Sequence, residues 1–171
     1  MKKDYKISEP FFEYGPKCYM YGKTLVKMAK GLDKLAKKYN VDVILDIPDT
    51  EIYNVARHVK RVHVYSQHMD SIPVGRGMGR TLPEAVKEAG AVGVMLNHAE
   101  RKLTLEEIEA AIKRADELGL ATMVCAAIHE TCVLAAKRST HCITDVVAEC
   151  SDLIEHVCIL LESDLLCWEC R

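Results

Sequence analysis

The segment TLPEAVKEAGAVGVMLNHAERKLTLEEIEAAIKRADELGLATMVC, residues 81–125, alternates helix-forming and strand-forming patterns. Thr104 and Glu107 have the spacing of a capping box, apolar residues follow at helical spacing, and Gly119 stands where a helix-ending glycine belongs. Thr81 and Glu84 repeat the capping-box spacing before a second predicted helix, with a proline in its first turn. Two short apolar runs, residues 91–96 and 121–125, are predicted strands. Strands that alternate with helices indicate βαβ units and a parallel sheet.

The same alternation extends to both sides of this segment. Further predicted strands cover residues 10–15, 41–47, 61–66 and 143–149, and further predicted helices cover residues 21–38, 50–58 and 128–137. No Pro-, Gly- or Ser-rich linker interrupts the pattern, so a single domain over residues 1–171 is expected. About six such units fit either a doubly wound sheet or part of a (β/α)₈ barrel, which takes about 250 residues when complete.

Composition narrows the class of protein. The chain is 49% hydrophobic and 28% charged with a formal net charge of −2, which argues against a nucleic-acid partner. The apolar run at residues 89–96 falls far short of the roughly 20 residues that span a bilayer, and the first residues do not resemble a secretion signal. We therefore expect a cytoplasmic protein with no membrane partner. All but one of its eight cysteines follow residue 124, yet a cytoplasmic location disfavours a disulfide framework.

Polar residues lie at or just after the carboxyl ends of four of the predicted strands. They are Lys17, the pair Gln67 and His68, the pair Asn97 and His98, and Glu149. Singly, such residues are commonly solvated loop or capping groups. Together, at the edge where the carboxyl ends of parallel strands meet, a lysine, a neutral histidine and a carboxylate suit the removal of a proton next to a carbonyl. The carboxylate would act as base, the histidine would polarise the carbonyl oxygen, and the lysine would offset the charge that develops there.

Three stretches carry a family resemblance: GPKCY (15–19), QHMDSIPVGRGMGRTLPEAVKEAGAVGVMLNHAERK (67–102) and TMVCA (122–126). They resemble the triosephosphate isomerases, especially the compact archaeal-type branch, and a weaker similarity continues through VAECSDLI (147–154). The resemblance implies a (β/α)₈ TIM barrel that is truncated after about six βα units. On this interpretation the chain is family-like to about residue 154, and residues 155–171 form a divergent tail.

The resemblance also implies a role for each matched residue. Lys17 matches the family's catalytic lysine, His98 its electrophilic histidine, Glu149 its base and Glu100 a supporting carboxylate near the lysine. Triosephosphate isomerase is itself the standard example of this division of roles. The implied reaction interconverts glyceraldehyde 3-phosphate and dihydroxyacetone phosphate through an enediolate, with no cofactor and no metal. The implied protein is a cytoplasmic homo-oligomer that serves glycolysis and gluconeogenesis.

Several positions depart from the family pattern. Gly15 replaces an asparagine, Ala99 replaces a serine, and Met78 replaces a threonine that reaches into a neighbouring subunit. Glu155 stands where the family's lid continues with a glycine. These changes leave two alternatives open, an isomerase of a related tetrulose phosphate and a non-catalytic or degenerate member. The tail after residue 154 is expected to reflect a frameshifted or truncated reading frame, which the other two frames of the coding DNA would test.

Two further clusters could bind a metal or act in redox chemistry. Cys167 and Cys170 form a lone C-x-x-C motif without the second ligand pair that zinc needs, and we interpret it as incidental. The second cluster could form a metal site from His129, Cys132, His141 and Cys142. His129 and Cys132 also fit one turn of a surface helix, and we favour that interpretation over a metal site.

Overall fold

The computed structural model describes residues 7–8, 10–125 and 142–145, the last of these as backbone only. Its six strands form one parallel sheet in the spatial order β1-β2-β3-β4-β5-β6, so each strand pairs with its neighbours in sequence. A doubly wound sheet reverses its strand order at a switch point, and this sheet does not. The consecutive order is that of the first six strands of a (β/α)₈ barrel, which confirms the expected fold class.

The strands and helices occupy the predicted segments with small differences at their ends. The strands are β1 (Phe11–Tyr14), β2 (Asp42–Ile47), β3 (Val62–Ser66), β4 (Gly93–Leu96), β5 (Ala121–Cys125) and β6 (Cys142–Asp145). The helices are α1 (Gly22–Tyr39), α2 (Ile52–Ala56), α3 (Pro83–Glu88) and α4 (Leu105–Leu118), and a 3₁₀ turn (Asp49–Glu51) precedes α2. The sixth strand begins one residue earlier than predicted. The predicted helix at 128–137, the end of the predicted strand at 146–149 and the tail at 155–171 lie outside the described residues.

Alternate residues along β2, β3, β4 and β5 face two different apolar layers. The larger layer lies between the sheet and the helices, and it includes Val43, Leu45, Val94 and Leu96. The smaller layer lies on the opposite face of the sheet, the barrel interior. It consists of Ile44, Tyr65, Met95, Ala121, Met123 and Cys125. Burial on both faces explains why β2, β4 and β5 are largely apolar and do not alternate between apolar and polar residues.

The two predicted capping boxes have different outcomes. At α4 the Thr104 hydroxyl accepts from the Glu107 amide and the Glu107 carboxylate accepts from the Thr104 amide, which confirms the prediction. Gly119 ends that helix with a left-handed φ of 70°. At α3 the prediction is wrong, because the residue before the helix is Leu82 and its side chain makes no capping bond. Thr81 instead donates its hydroxyl to Asp49 at 2.9 Å, a partner that local spacing does not reveal.

One carboxylate ties α1 to the start of β3. Oδ1 of Asp33 accepts from the amides of Lys60, Arg61 and Val62 at 2.7, 2.6 and 3.1 Å. Burial acts to raise the pKa of Asp33, but these three amides and the Lys60 charge hold it below its ordinary value. Within the described part of the chain, no helix is long and apolar enough to cross a membrane.

Candidate active site at the carboxyl edge of the sheet

Lys17 lies in a strained turn directly after β1. The Tyr19 amide donates to the Pro16 carbonyl at 3.2 Å, and Lys17 between them has φ of 50°. A lysine rarely adopts this left-handed conformation, which costs a non-glycine residue on the order of 1 to 3 kcal/mol. Strain of this size persists only where surrounding contacts enforce it, and such strain is concentrated at functional sites.

Gln67, directly after β3, supplies one of those contacts. Its side-chain Nε2 donates to the carbonyl oxygens of Lys17 and Asp46 at 3.1 and 3.2 Å, and its own amide donates to the Ile47 carbonyl at 3.1 Å. The Gln67 side chain therefore joins the ends of β1, β2 and β3. Because one of its acceptors is the carbonyl of the strained residue, Gln67 helps to hold the Lys17 turn.

Two buried carboxylates lie next to this turn. Glu13 and Asp46 are buried in the barrel interior near the ends of β1 and β2, and both take part in interactions. A Cβ atom at Gly15 would lie 3.2 Å from Oε1 of Glu13 and 3.9 Å from Cβ of Asp46. Gly15 is the position that departs from the family's asparagine. A larger residue there would have little room for its side chain between the Glu13 carboxylate and the Lys17 turn.

The geometry around His98 fixes which nitrogen carries the ring proton. The Glu100 backbone amide donates to Nδ1 of His98 at 3.1 Å, and the Arg101 amide donates to the His98 carbonyl at 2.8 Å. A backbone amide can only donate, so Nδ1 must present its lone pair and the proton resides on Nε2. His98 is therefore set up to donate a hydrogen bond through Nε2. The amide that orients the ring belongs to the turn after β4 and not to helix α4, which begins only at Leu105.

Asp70 connects the segment after β3 to the turn that contains His98. Its carboxylate accepts from the Thr81 amide at 2.7 Å and from Arg80 at 2.9 Å, and Oδ1 lies 3.6 Å from Arg101. Burial acts to raise the pKa of Asp70, but the Thr81 amide, Arg80 and His68 together lower it.

Burial first, and the Arg101 charge second, lower the pKa of His68, so its ring is neutral near pH 7.

The predicted site residues fall into three groups. Lys17 and His98 both lie at the carboxyl edge, after β1 and β4, as the sequence predicts. The Glu100 side chain is exposed, and within residues 10–125 it forms no ion pair with Lys17. Glu149 lies outside the described residues.

Sequence reasoning identified Gln67 and Asn97 as strand-end residues but assigned them no role in positioning. Asn97 offered one signal, since asparagine is enriched several-fold at positive φ, and its φ is 60°. Glu13 and Asp46 were missed, although a charged residue within an otherwise apolar strand could have marked them. Gln67 offered no local signal, because its partner Lys17 is 50 residues away.

Comparison with known proteins relates this chain to one enzyme family. The family model described as triosephosphate isomerase matches residues 15–162. Triosephosphate isomerase of Methanobacterium bryantii is 45% identical over 115 residues, which cover 67% of this chain and 50% of that protein. Triosephosphate isomerase of Sulfurisphaera tokodaii is 42% identical over 110 residues, which cover 64% of this chain and 48% of that protein. The chain thus spans about half the length of the curated relatives it matches.

A solved structure agrees at the level of the fold. The crystal structure of triosephosphate isomerase from Bartonella henselae superposes with a TM-score of 0.66, covering 80% of this chain and 66% of that chain. At 16% sequence identity, this likeness supports the barrel architecture alone.

Proposed function

Since the chain belongs to the triosephosphate isomerase family, we propose that it interconverts glyceraldehyde 3-phosphate and dihydroxyacetone phosphate. The observation that carries the proposal is the hydrogen bond from the Glu100 amide to Nδ1 of His98. It leaves a proton on Nε2 at the edge of the sheet where Lys17 also lies. A neutral imidazole that donates to a carbonyl oxygen stabilises an enediolate without first giving up a full proton.

In the proposed mechanism three side chains share the work. The Glu149 carboxylate removes a proton from the carbon next to the substrate carbonyl. Nε2–H of His98 donates to the carbonyl oxygen, and the Lys17 ammonium offsets the negative charge that this oxygen gains. Return of the proton to the neighbouring carbon, with a proton shift between the two oxygens, completes the isomerisation. No step calls for a cofactor, and the proposed setting is cytoplasmic, within glycolysis and gluconeogenesis.

The proposal is tested with the full 171-residue chain and dihydroxyacetone phosphate as substrate. We expect measurable turnover to glyceraldehyde 3-phosphate, and we expect Glu149→Gln to lower kcat by about 10²- to 10⁴-fold, the usual contribution of a positioned base. Glu109→Gln is the matched control, because it makes the same carboxylate-to-amide change on helix α4. It should leave kcat unchanged. No turnover from folded, monodisperse wild-type protein would refute the activity and favour a non-catalytic member. Faster turnover of a tetrulose phosphate would instead reassign the substrate.

We also propose that the chain forms a homo-oligomer through the loop of residues 71–80. The neck of this loop is closed by the hydrogen bond from the Asp70 amide to the Thr81 carbonyl at 2.9 Å and by the Asp70 side-chain contacts. Its outer part presents the exposed apolar side chains of Val74 and Met78. These two side chains support the proposal, because their burial in a contact would remove apolar surface from water.

The association is tested by light scattering after size exclusion. We expect the wild-type chain to elute as an oligomer and Met78→Glu to shift it toward the monomer, because a carboxylate cannot be buried without a partner. Ser71→Glu, at the exposed neck of the same loop, is the control for added charge. A monomeric wild-type chain at micromolar concentration would contradict the proposal.

A further inference from the structure

Asn97 holds the turn that carries the electrophilic histidine. Its side chain is buried at the end of β4, with only 7% exposed. Nδ2 donates to the Cys125 carbonyl at 2.8 Å, and Oδ1 accepts from the Leu103 amide at 2.9 Å. The side-chain amide thus uses both its donor and its acceptor, and each bond reaches a different segment of the chain.

The first bond replaces a backbone bond of the sheet. In the pairing of β4 with β5, Leu96 lies opposite Val124, so the next residue in the register is Cys125. Asn97 cannot continue the strand because its φ of 60° lies outside the extended region. A buried carbonyl needs a donor. The Asn97 side chain provides that donor while its backbone turns away.

The second bond closes the turn that contains His98. Residues 98–102 lie between Asn97 and Leu103, and the Oδ1 contact joins the two ends. Inside this closed segment the Glu100 amide meets Nδ1 of His98 and the Arg101 amide meets the His98 carbonyl. Thr104, which caps α4, follows Leu103 directly.

We propose that Asn97 is a positioning residue for His98. Its left-handed backbone and its two side-chain bonds together hold the ring orientation that leaves the proton on Nε2. This inference rests on the proposed isomerase function for its consequence in turnover, but not for its structural content. Asparagine suits the position twice, since it tolerates positive φ and carries one donor group and one acceptor group on a short side chain.

Two substitutions separate the contributions. Asn97→Gly keeps the left-handed backbone without strain and removes both side-chain bonds. Asn97→Asp keeps an acceptor for the Leu103 amide but turns a second acceptor toward the Cys125 carbonyl. We expect each to lower kcat on the order of 10²-fold, the loss that a shift of about 1 Å in a reacting group causes.

The matched control is Asn40, the residue that ends α1. Among the described residues it is the other asparagine with left-handed φ, at 51°, and its Oδ1 accepts from Arg61 at 3.4 Å. Asn40→Gly and Asn40→Asp should change the free energy of unfolding while leaving kcat unchanged. A similar loss of kcat in the Asn40 variants would mean that destabilisation alone explains the Asn97 result.

A spectroscopic measurement keeps the positioning role separate from turnover. In the ligand-free wild-type protein, the ¹⁵N chemical shifts of His98 should show an unprotonated Nδ1 and a protonated Nε2, and the Leu103 amide should exchange slowly. In Asn97→Gly we expect a mixture of the two ring tautomers and faster exchange at Leu103. If the wild-type chain lacked activity, the proposed function would fail while these signals still decided the role of Asn97. Unchanged His98 shifts in both variants, together with unchanged kcat, would overturn the inference.

Discussion

Replacing His98 with asparagine should lower kcat for dihydroxyacetone phosphate on the order of 10²- to 10³-fold, the usual cost of removing one donor to a developing oxyanion. The Glu100 amide holds Nδ1 as an acceptor, so Nε2 carries the donated proton. An asparagine side chain is too short to place its amide where Nε2 lies. The lost bond strengthens only as the oxygen becomes charged, so kcat and kcat/KM should fall together while KM changes little. Steady-state kinetics in both directions of the reaction measure this.

His58→Asn is the matched control for this substitution. His58 follows α2 on the surface, and its Nδ1 lies 2.7 Å from the Asn54 carbonyl, so it too contacts the backbone through that nitrogen. His58 lies away from the carboxyl edge, and we expect kcat of the His58→Asn variant to equal that of the wild type. A His98→Asn enzyme with wild-type kcat would remove the histidine from the proposed mechanism.

The second large effect is expected on stability, at Gly93. This glycine lies opposite Tyr65 in the pairing of β3 with β4. A Cβ atom at Gly93 would lie 2.4 Å from Cζ of the Tyr65 ring and 2.6 Å from both Cε atoms. Tyr65 is fully buried, so its ring cannot swing into solvent. Gly93→Ala should therefore lower the free energy of unfolding by about 3 kcal/mol, the upper part of the usual range for overpacking.

Chemical denaturation measures this loss, and two further variants test its cause. Gly31→Ala changes a glycine inside α1 whose new Cβ would meet no atom within 4 Å beyond its chain neighbours and the backbone of its own helix. It should stabilise the protein by about 0.5 to 1 kcal/mol. Tyr65→Leu removes the part of the ring that the new Cβ would meet. The double variant Tyr65→Leu, Gly93→Ala should be less destabilised than the sum of the single variants. Additive effects would show that the contact with the ring is not the reason.

Most of the secondary structure was predictable from the sequence because its signals are local. Apolar spacing located α1 and α4, and Thr104, Glu107 and Gly119 marked the ends of α4 through contacts within one turn. The order of strands also followed, since consecutive parallel strands joined by helices tend to lie side by side. The failed cap at Thr81 shows the limit of this reasoning. The spacing was right, but the Thr81 hydroxyl donates to Asp49 and the Thr81 amide donates to Asp70. These are the two Thr81 groups that a capping box would use.

By itself the sequence determined the alternation of strands and helices, and it placed Lys17 and His98 at one edge of the sheet. Tertiary structure alone decided how these residues are held there. Lys17 adopts a left-handed φ, and its carbonyl accepts a hydrogen bond from Gln67, which is distant in sequence. The Asn97 side chain joins the end of β4 to the end of β5. Such contacts depend on which segments the folded sheet brings together, and no periodicity along the chain encodes them. Residue types suited to the chemistry are therefore visible in the sequence, whereas their orientation is a property of the assembled edge.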